Sequence, residues 1–145
     1  MSLASSMLAF EGGQIYIAGG RGPAGPIGPA GSATLPITCG EDILVNRLVY
    51  AVGDLIYHAD KDTPAKTKVI GLSTQSVSSG GAVEVLTFGK RFDGSFGYPT
   101  SGNLWLGTNG LLLTTAPSSG TLVLVGTIIS SNAIIINIQQ GLTLV

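Results

Sequence analysis

One histidine, one cysteine and eight acidic residues are the chain's whole supply of groups for acid–base, nucleophilic or metal chemistry. His58 is the only imidazole, so a Ser/His/Asp or Cys/His arrangement would have to be built around it. It lies in DLIYHAD (54–60), where a period of two puts Leu55, Tyr57 and Ala59 on one face and Ile56 and His58 on the other. That pattern predicts a partly exposed strand histidine. Cys39 stands alone, which excludes an intrachain disulfide and a cysteine cluster for metal, and fits synthesis in a reducing cytosol. Asp54, Asp60 and Asp62 lie close together but lack the ligand spacing and glycine turn of a calcium loop. With Lys66 and Lys68 just beyond, they read as a solvated turn. Glu41, Asp42, Glu84 and Asp93 are scattered, so no carboxylate pair for glycoside hydrolysis stands out. GGRGPAG (19–25) lacks the Lys-Ser/Thr ending of a phosphate loop, and its prolines remove backbone donors. The expectation is a chain with no catalytic residue, no cofactor and no metal, and not an enzyme.

The aromatic stretch FGKRFDGSFGYPTSGNLW (88–105) offers recognition instead of catalysis. Phe88, Phe92, Phe96, Tyr98 and Trp105 accompany Lys90 and Arg91 there. These seven form a candidate contact surface for a glycan or a protein neighbour, because aromatic and arginine side chains dominate binding energy. The same aromatics could equally plug a small β core.

The elements that must position these residues read as strands. Hydrophobic residues make up 44 % of the chain and charged residues 10 %, against about 25 % charged in an average soluble domain. So few charges suggest that part of the apolar surface is buried against other chains. A net charge of −1 gives no field for nucleic acid or anionic membrane. The greasiest stretch, TLVLVGTIISSNAIIINI (121–138), is interrupted by Gly126, Ser130, Ser131 and Asn132, whereas a spanning helix needs about 20 mostly apolar residues. MSLASSMLAF has no Lys or Arg ahead of its apolar residues and makes a poor signal peptide.

Four regions follow: an N-terminal arm at 1–18 with a strand candidate QIYIA (14–18), a Gly-X-Y tract at 19–33, a connector at 34–41, and a β domain at 42–145. In the last, RLVYAVGDLIYHAD predicts two strands broken at Gly53-Asp54, and KVIGLST and AVEVLTFG flank a Ser/Gly turn. NLWLGTNGLLLT carries Asn109-Gly110 between apolar runs, a hairpin signal. TLVLVGTII and AIIINIQ flank SSN. Short β-branched strands at this turn spacing predict an all-β fold, a small barrel or sandwich. VIGLSTQSVSSGGAVEV (69–85) faintly echoes LVGTIISSNAIIINI (124–138), and GDLIYHA (53–59) echoes GNLWLGT (102–108).

In the tract, glycine recurs at Gly19, Gly22, Gly25, Gly28 and Gly31, and Pro23, Pro26 and Pro29 follow three of them. A triple helix needs glycine at every third position because only hydrogen fits at the shared axis, and proline pre-sets the extended dihedral. A flexible linker keeps no such phase. The tract spans roughly 40–45 Å at the collagen-like rise, too short to hold three chains unaided. It therefore predicts a homotrimer whose flanking parts also trimerise, with a semi-rigid spacer as the alternative.

Residues 20–145 resemble a bacteriophage structural family with a collagen-like tract followed by a small β domain, found as head-decorating (cement or fibre) proteins or as fibre components. GPAGPIGPAGSA, VYAVGDLIYHAD, VIGLSTQSVSSGGAVEV, GNLWLGTNGLLLTTAPSSG and LVGTIISSNAIIINI carry the resemblance, in that order. It implies a homotrimer on the outside of a virion, made in the host cytoplasm, with no catalysis and no cofactor. The expected partners are further copies of the chain and the major capsid protein, gripped at three-fold positions through the arm 1–18, with no nucleic acid or membrane. The alternative is a tail-fibre tip that binds a receptor or host-surface glycan through the aromatic stretch.

Overall fold

The computed structural model describes residues 32–144. The arm and the tract up to Gly31 lie outside them, and with them the expectations for Gly19, Gly22, Gly25, Gly28, Gly31, Pro23, Pro26 and Pro29. The described unit is all-β. Its strands are β1 (Ala33–Cys39), β2 (Leu48–Val52), β3 (Leu55–His58), β4 (Gly71–Ser73), β5 (Ala82–Phe92), β6 (Gly102–Leu106), β7 (Leu112–Leu113), β8 (Thr121–Leu122), β9 (Leu124–Ser130), β10 (Ala133–Ile136) and β11 (Leu142–Thr143). The only helical segments among the described residues are short 3-10 turns at Pro64–Lys66 and Thr108–Gly110. No helix there is long and apolar enough to cross a membrane.

Besides the short separate pair β8–β11, pairing runs in two systems that share β5. The first follows β1-β3-β2-β4-β5 and returns to β1, so five strands form a closed circuit. The second runs β5-β10-β9-β6-β7. Strand β5 can serve both because it is long. Its first part pairs with β1 (Leu35↔Val85, Ile37↔Val83) and its last four residues with β10 (Gly89↔Ile136 to Phe92↔Ala133). Gly89, at φ +119°, marks the change of partner with a backbone shape that side chains resist.

Alternation along the strands then builds two cores. Inward residues of the circuit (Cys39, Val49, Ile56, Val83 and Val85) pack with Ile43 from the loop after β1. Residues of opposite phase (Leu48, Leu72 and Leu86) face Leu104, Leu106, Val125, Ile128, Ile134 and Ile136 of the second system. Burying each such side chain contributes about 1.5–3 kcal/mol. Strand β2 is buried on both faces, Leu48 in one cluster and Val49 in the other.

Three boundaries differ from the sequence reading. Residues 34–41, expected as a connector, hold most of β1, so the β unit begins at Ser32 and not at residue 42. Pro36 hid this strand. It is tolerated because β3 pairs only with Thr38 and Cys39, which leaves Pro36 an open side for its missing N–H. The last residue of the predicted Gly-X-Y tract, Ala33, is likewise the first of β1, paired with Phe88. The Asn109-Gly110 hairpin is wider than a two-residue turn. Both residues take positive φ (52° and 76°), but the strands they join pair only from Leu106↔Leu112 outward. The β2–β3 and β9–β10 hairpins form where expected.

Candidate functional site

The seven aromatic and basic residues of the predicted contact surface do not share one face. The register shift between Leu86 and Phe88 breaks the alternation that buries Leu86, and from there Phe88, Lys90 and Phe92 are all exposed. Arg91, between them, turns the other way. Its Nε donates to Asn46 Oδ1 (3.0 Å), its Nη2 donates to the Thr74 carbonyl (3.2 Å), and the same nitrogen stands 3.6 Å from Asp93 Oδ2. Asn46 completes the network by donating to Asp93 Oδ2 (2.7 Å). Hydrogen bonds from Ser95 and Asn46 hold the Asp93 carboxyl down at about 2. Arg91 is therefore a tie between β5, the loop before β2 and the residue after β4, and is not a free cation for a ligand.

Phe96 and Tyr98 stack at 5.1 Å between ring centroids and pack on the larger core. Burial pushes the Tyr98 phenol up. Trp105 is half-buried on β6, opposite Leu113 and Leu124. The geometry thus divides the stretch into two rings packed on the core (Phe96, Tyr98), a half-buried ring on the face of β6 opposite Leu104 and Leu106 (Trp105), a polar tie (Arg91) and an outward row (Phe88, Lys90, Phe92). Sequence reasoning missed the row's neighbour on β10. Ile135 pairs with Lys90, shares its face and is 36 % exposed. Nothing within the run AIII says which isoleucine faces out until the pairing is known.

His58 is buried, at 7 % exposure, where a partly exposed residue was expected. The cause is the loop after β1, which folds over β3. There the Leu44 N–H donates to His58 Nε2 (3.2 Å), and Glu41 Oε2 lies 3.2 Å from Nδ1 while also accepting the His58 backbone N–H (2.8 Å). An accepting Nε2 means a neutral ring with its proton on Nδ1. Burial lowers the pKa below its ordinary value, against the opposing pull of Glu41. The unfolded chain binds a proton near pH ~6.5 that the folded chain refuses, so His58's contribution to stability is whole above that pH and is lost as pH falls below it. As the sole histidine it gives a single Cε1–H resonance. A titration midpoint below 6.5 is expected, and a midpoint at or above the free value refutes this reading.

The acidic turn is structural. Asp60 Oδ1 accepts the Asp62 N–H (2.8 Å) and its Oδ2 accepts the Asn109 N–H (3.3 Å). Lys61 Nζ donates to Asp62 Oδ1 (2.8 Å) and to the Ser119 carbonyl (3.1 Å). Among the described residues no three His, Cys, Asp or Glu side chains gather where they could hold a metal ion. A cleft at Thr67, Lys68, Thr121, Gln139, Gln140 and Thr143, with Val69 and Ile138 also in its lining, has Lys68 as its single titratable group.

No protein-family model matches the chain, no curated protein matches it, and no solved structure matches it. The functional reading therefore stands on the residues themselves. The strongest candidate for contact is the outward row on β5 with Ile135 beside it.

Proposed function

We propose that the chain is a structural, non-enzymatic part of a bacteriophage particle, a homotrimeric decoration (cement) protein on the outer capsid surface. The observation that carries this reading is the unbroken glycine phase from Gly19 to Gly31, which runs straight into a β unit with apolar residues facing out of its shared sheet. A phased tract calls for three chains. Apolar residues on an outer sheet face call for a partner. A low charge content suits a part that buries much of its surface in an assembly. The closed circuit of β1 to β5 is read as the small barrel of this part, and the tract as a spacer that keeps three barrels in register. Decoration stabilises a shell by adding buried area between capsomers at three-fold points, where a three-chain part matches the local symmetry.

The arm 1–18 is assigned the grip on the major capsid protein, with the β unit facing outward. Deleting 1–18 is expected to abolish binding to purified shells while the protein stays trimeric by sedimentation. Undiminished occupancy after the deletion reverses the polarity. Copy number per particle tests the site of assembly: hundreds place the protein on the head, and a handful place it at a tail tip, where the exposed phenylalanines would face a host-surface glycan.

A further inference from the structure

Among the described residues three polar side chains are more than nine-tenths buried, those of His58, Ser73 and Thr121. Two of them are fully engaged. His58 is held by Leu44 and Glu41, and the Ser73 hydroxyl donates to the Leu44 carbonyl and accepts the Arg47 N–H. The Thr121 hydroxyl makes no hydrogen bond to any described residue. A buried hydroxyl left unpaired is destabilising. This one lines a cleft of about 390 Å³, within the size range of small-ligand sites.

The backbone holds the cleft in shape. The Gln139 N–H donates to the Leu124 carbonyl (2.8 Å) and the Leu144 N–H to the Gly120 carbonyl (3.0 Å), so the segment between them is tied at both ends beside β8. Gly141 permits the close approach, since a Cβ there would stand 2.9 Å from the Thr121 methyl and 3.0 Å from Val123 Cγ2. Residues 67–69 supply the rest of the lining. Its composition selects a ligand. The hydroxyls of Thr121 and Thr143 and the amides of Gln139 and Gln140 both donate and accept, as the hydroxyls of a sugar do. Gln139 uses one amide hydrogen on the Asn137 carbonyl (3.3 Å) and keeps the rest. Val69 and Ile138 offer an apolar patch for the C–H face of a pyranose ring. Lys68 is the one charged side chain in the lining, with no carboxylate there to neutralise it, so a single negative charge on the ligand is favoured. We propose that this cleft binds an acidic sugar, a pyranose carrying one carboxylate, with the carboxylate on Lys68 and a ring hydroxyl on Thr121. The site is separate from the exposed row on β5 and does not depend on the trimer.

The test is titration of the isotope-labelled full-length chain with D-glucuronate, D-glucose and acetate, read by amide chemical shifts, with thermal melts of each variant. Glucuronate is expected to shift the signals of Lys68, Thr121 and residues 139–143 with saturation in the millimolar range, as suits one sugar ring in an open cleft. Glucose is expected to bind about 10-fold more weakly, because it lacks the charge-assisted bond, and Lys68→Gln is expected to remove that preference. Thr121→Val is the deciding variant. It is expected to weaken glucuronate about 3- to 10-fold while leaving the melting temperature unchanged or higher, since the hydroxyl it removes has no partner in the fold. A Thr121→Val protein that melts lower and binds glucuronate as the wild type does makes the hydroxyl part of the fold and overturns its role. Glucose bound as tightly as glucuronate overturns the charge preference. Acetate bound at these residues as tightly as glucuronate reduces the site to an anion contact and overturns the sugar. No saturable shift at these residues, or shifts confined to Phe88 and Phe92, overturns the site.

Discussion

Replacing Gly126 by alanine is expected to lower the melting temperature by more than about 10 °C, a larger loss than any surface change produces. The reason is space. Gly126 sits in β9 between Leu104 of β6 and Ile136 of β10, paired on both sides. A Cβ there meets the backbone carbonyl oxygen of Ile135 well inside van der Waals contact. Side chains can rotate away from an intruder, but this oxygen belongs to a paired strand, so β10 would have to move. Forcing atoms into a packed site costs about 1–3 kcal/mol where side chains can yield, and a backbone obstacle puts the cost at the upper end or beyond. Gly71 is in the same position in the other half, where its Cβ would meet the Leu86 carbonyl and Val85. Gly71→Ala is expected to be similarly damaging. Gly94→Ala is the control, since an added methyl there has open space around it and the backbone needs no special dihedral. Thermal melts of the three variants check this. A Gly126→Ala protein that melts like Gly94→Ala would mean that β9 and β10 are not packed this closely.

Gly71 and Gly126 also show how far the sequence could be read. They align in the internal echo of VIGLSTQSVSSGGAVEV with LVGTIISSNAIIINI. Both sit where one strand crosses close to the next, in the antiparallel pairs β4–β5 and β9–β10. The echo therefore has a physical cause at that position. It does not extend to the neighbouring strands, because β6 pairs directly with β9 while β3 pairs with β2 and β1. The all-β class and the local hairpins were legible because each depends on residues close in sequence: Gly53 between β2 and β3, and Ser131-Asn132 between β9 and β10. Non-local facts were not. β1 pairs with β5 across some fifty residues and carries a proline, so nothing nearby announces it. The burial of His58 depends on the loop after β1 folding over β3, which a period of two within one strand cannot reveal. The contact surface suffered most. Proximity in sequence grouped Phe96, Tyr98 and Trp105 with Phe88 and Phe92; the fold packed Phe96 and Tyr98 on the core, left Trp105 half-buried on the other face of β6, and left Phe88 and Phe92 exposed.

Adjacent isoleucines on β10 give the second large effect. Ile134 is fully buried, faces the larger core and pairs with Arg91 and Ile128. Ile134→Ala removes three buried carbons and leaves a cavity between the two sheet systems. A cost of about 2–5 kcal/mol is expected, a large part of the roughly 5–15 kcal/mol that holds a domain together. Ile135→Ala removes the same atoms from the opposite face. In a dilute monomer it should cost under about 0.5 kcal/mol, as surface substitutions do. Urea unfolding separates the two: Ile134→Ala loses stability and Ile135→Ala keeps nearly all of it. A one-residue slip in the register of β10 would exchange the two residues between core and surface. If Ile135→Ala is the more damaging variant, the pairing of β10 with β5 is off by one, and the face that carries Ile135 is the inward one.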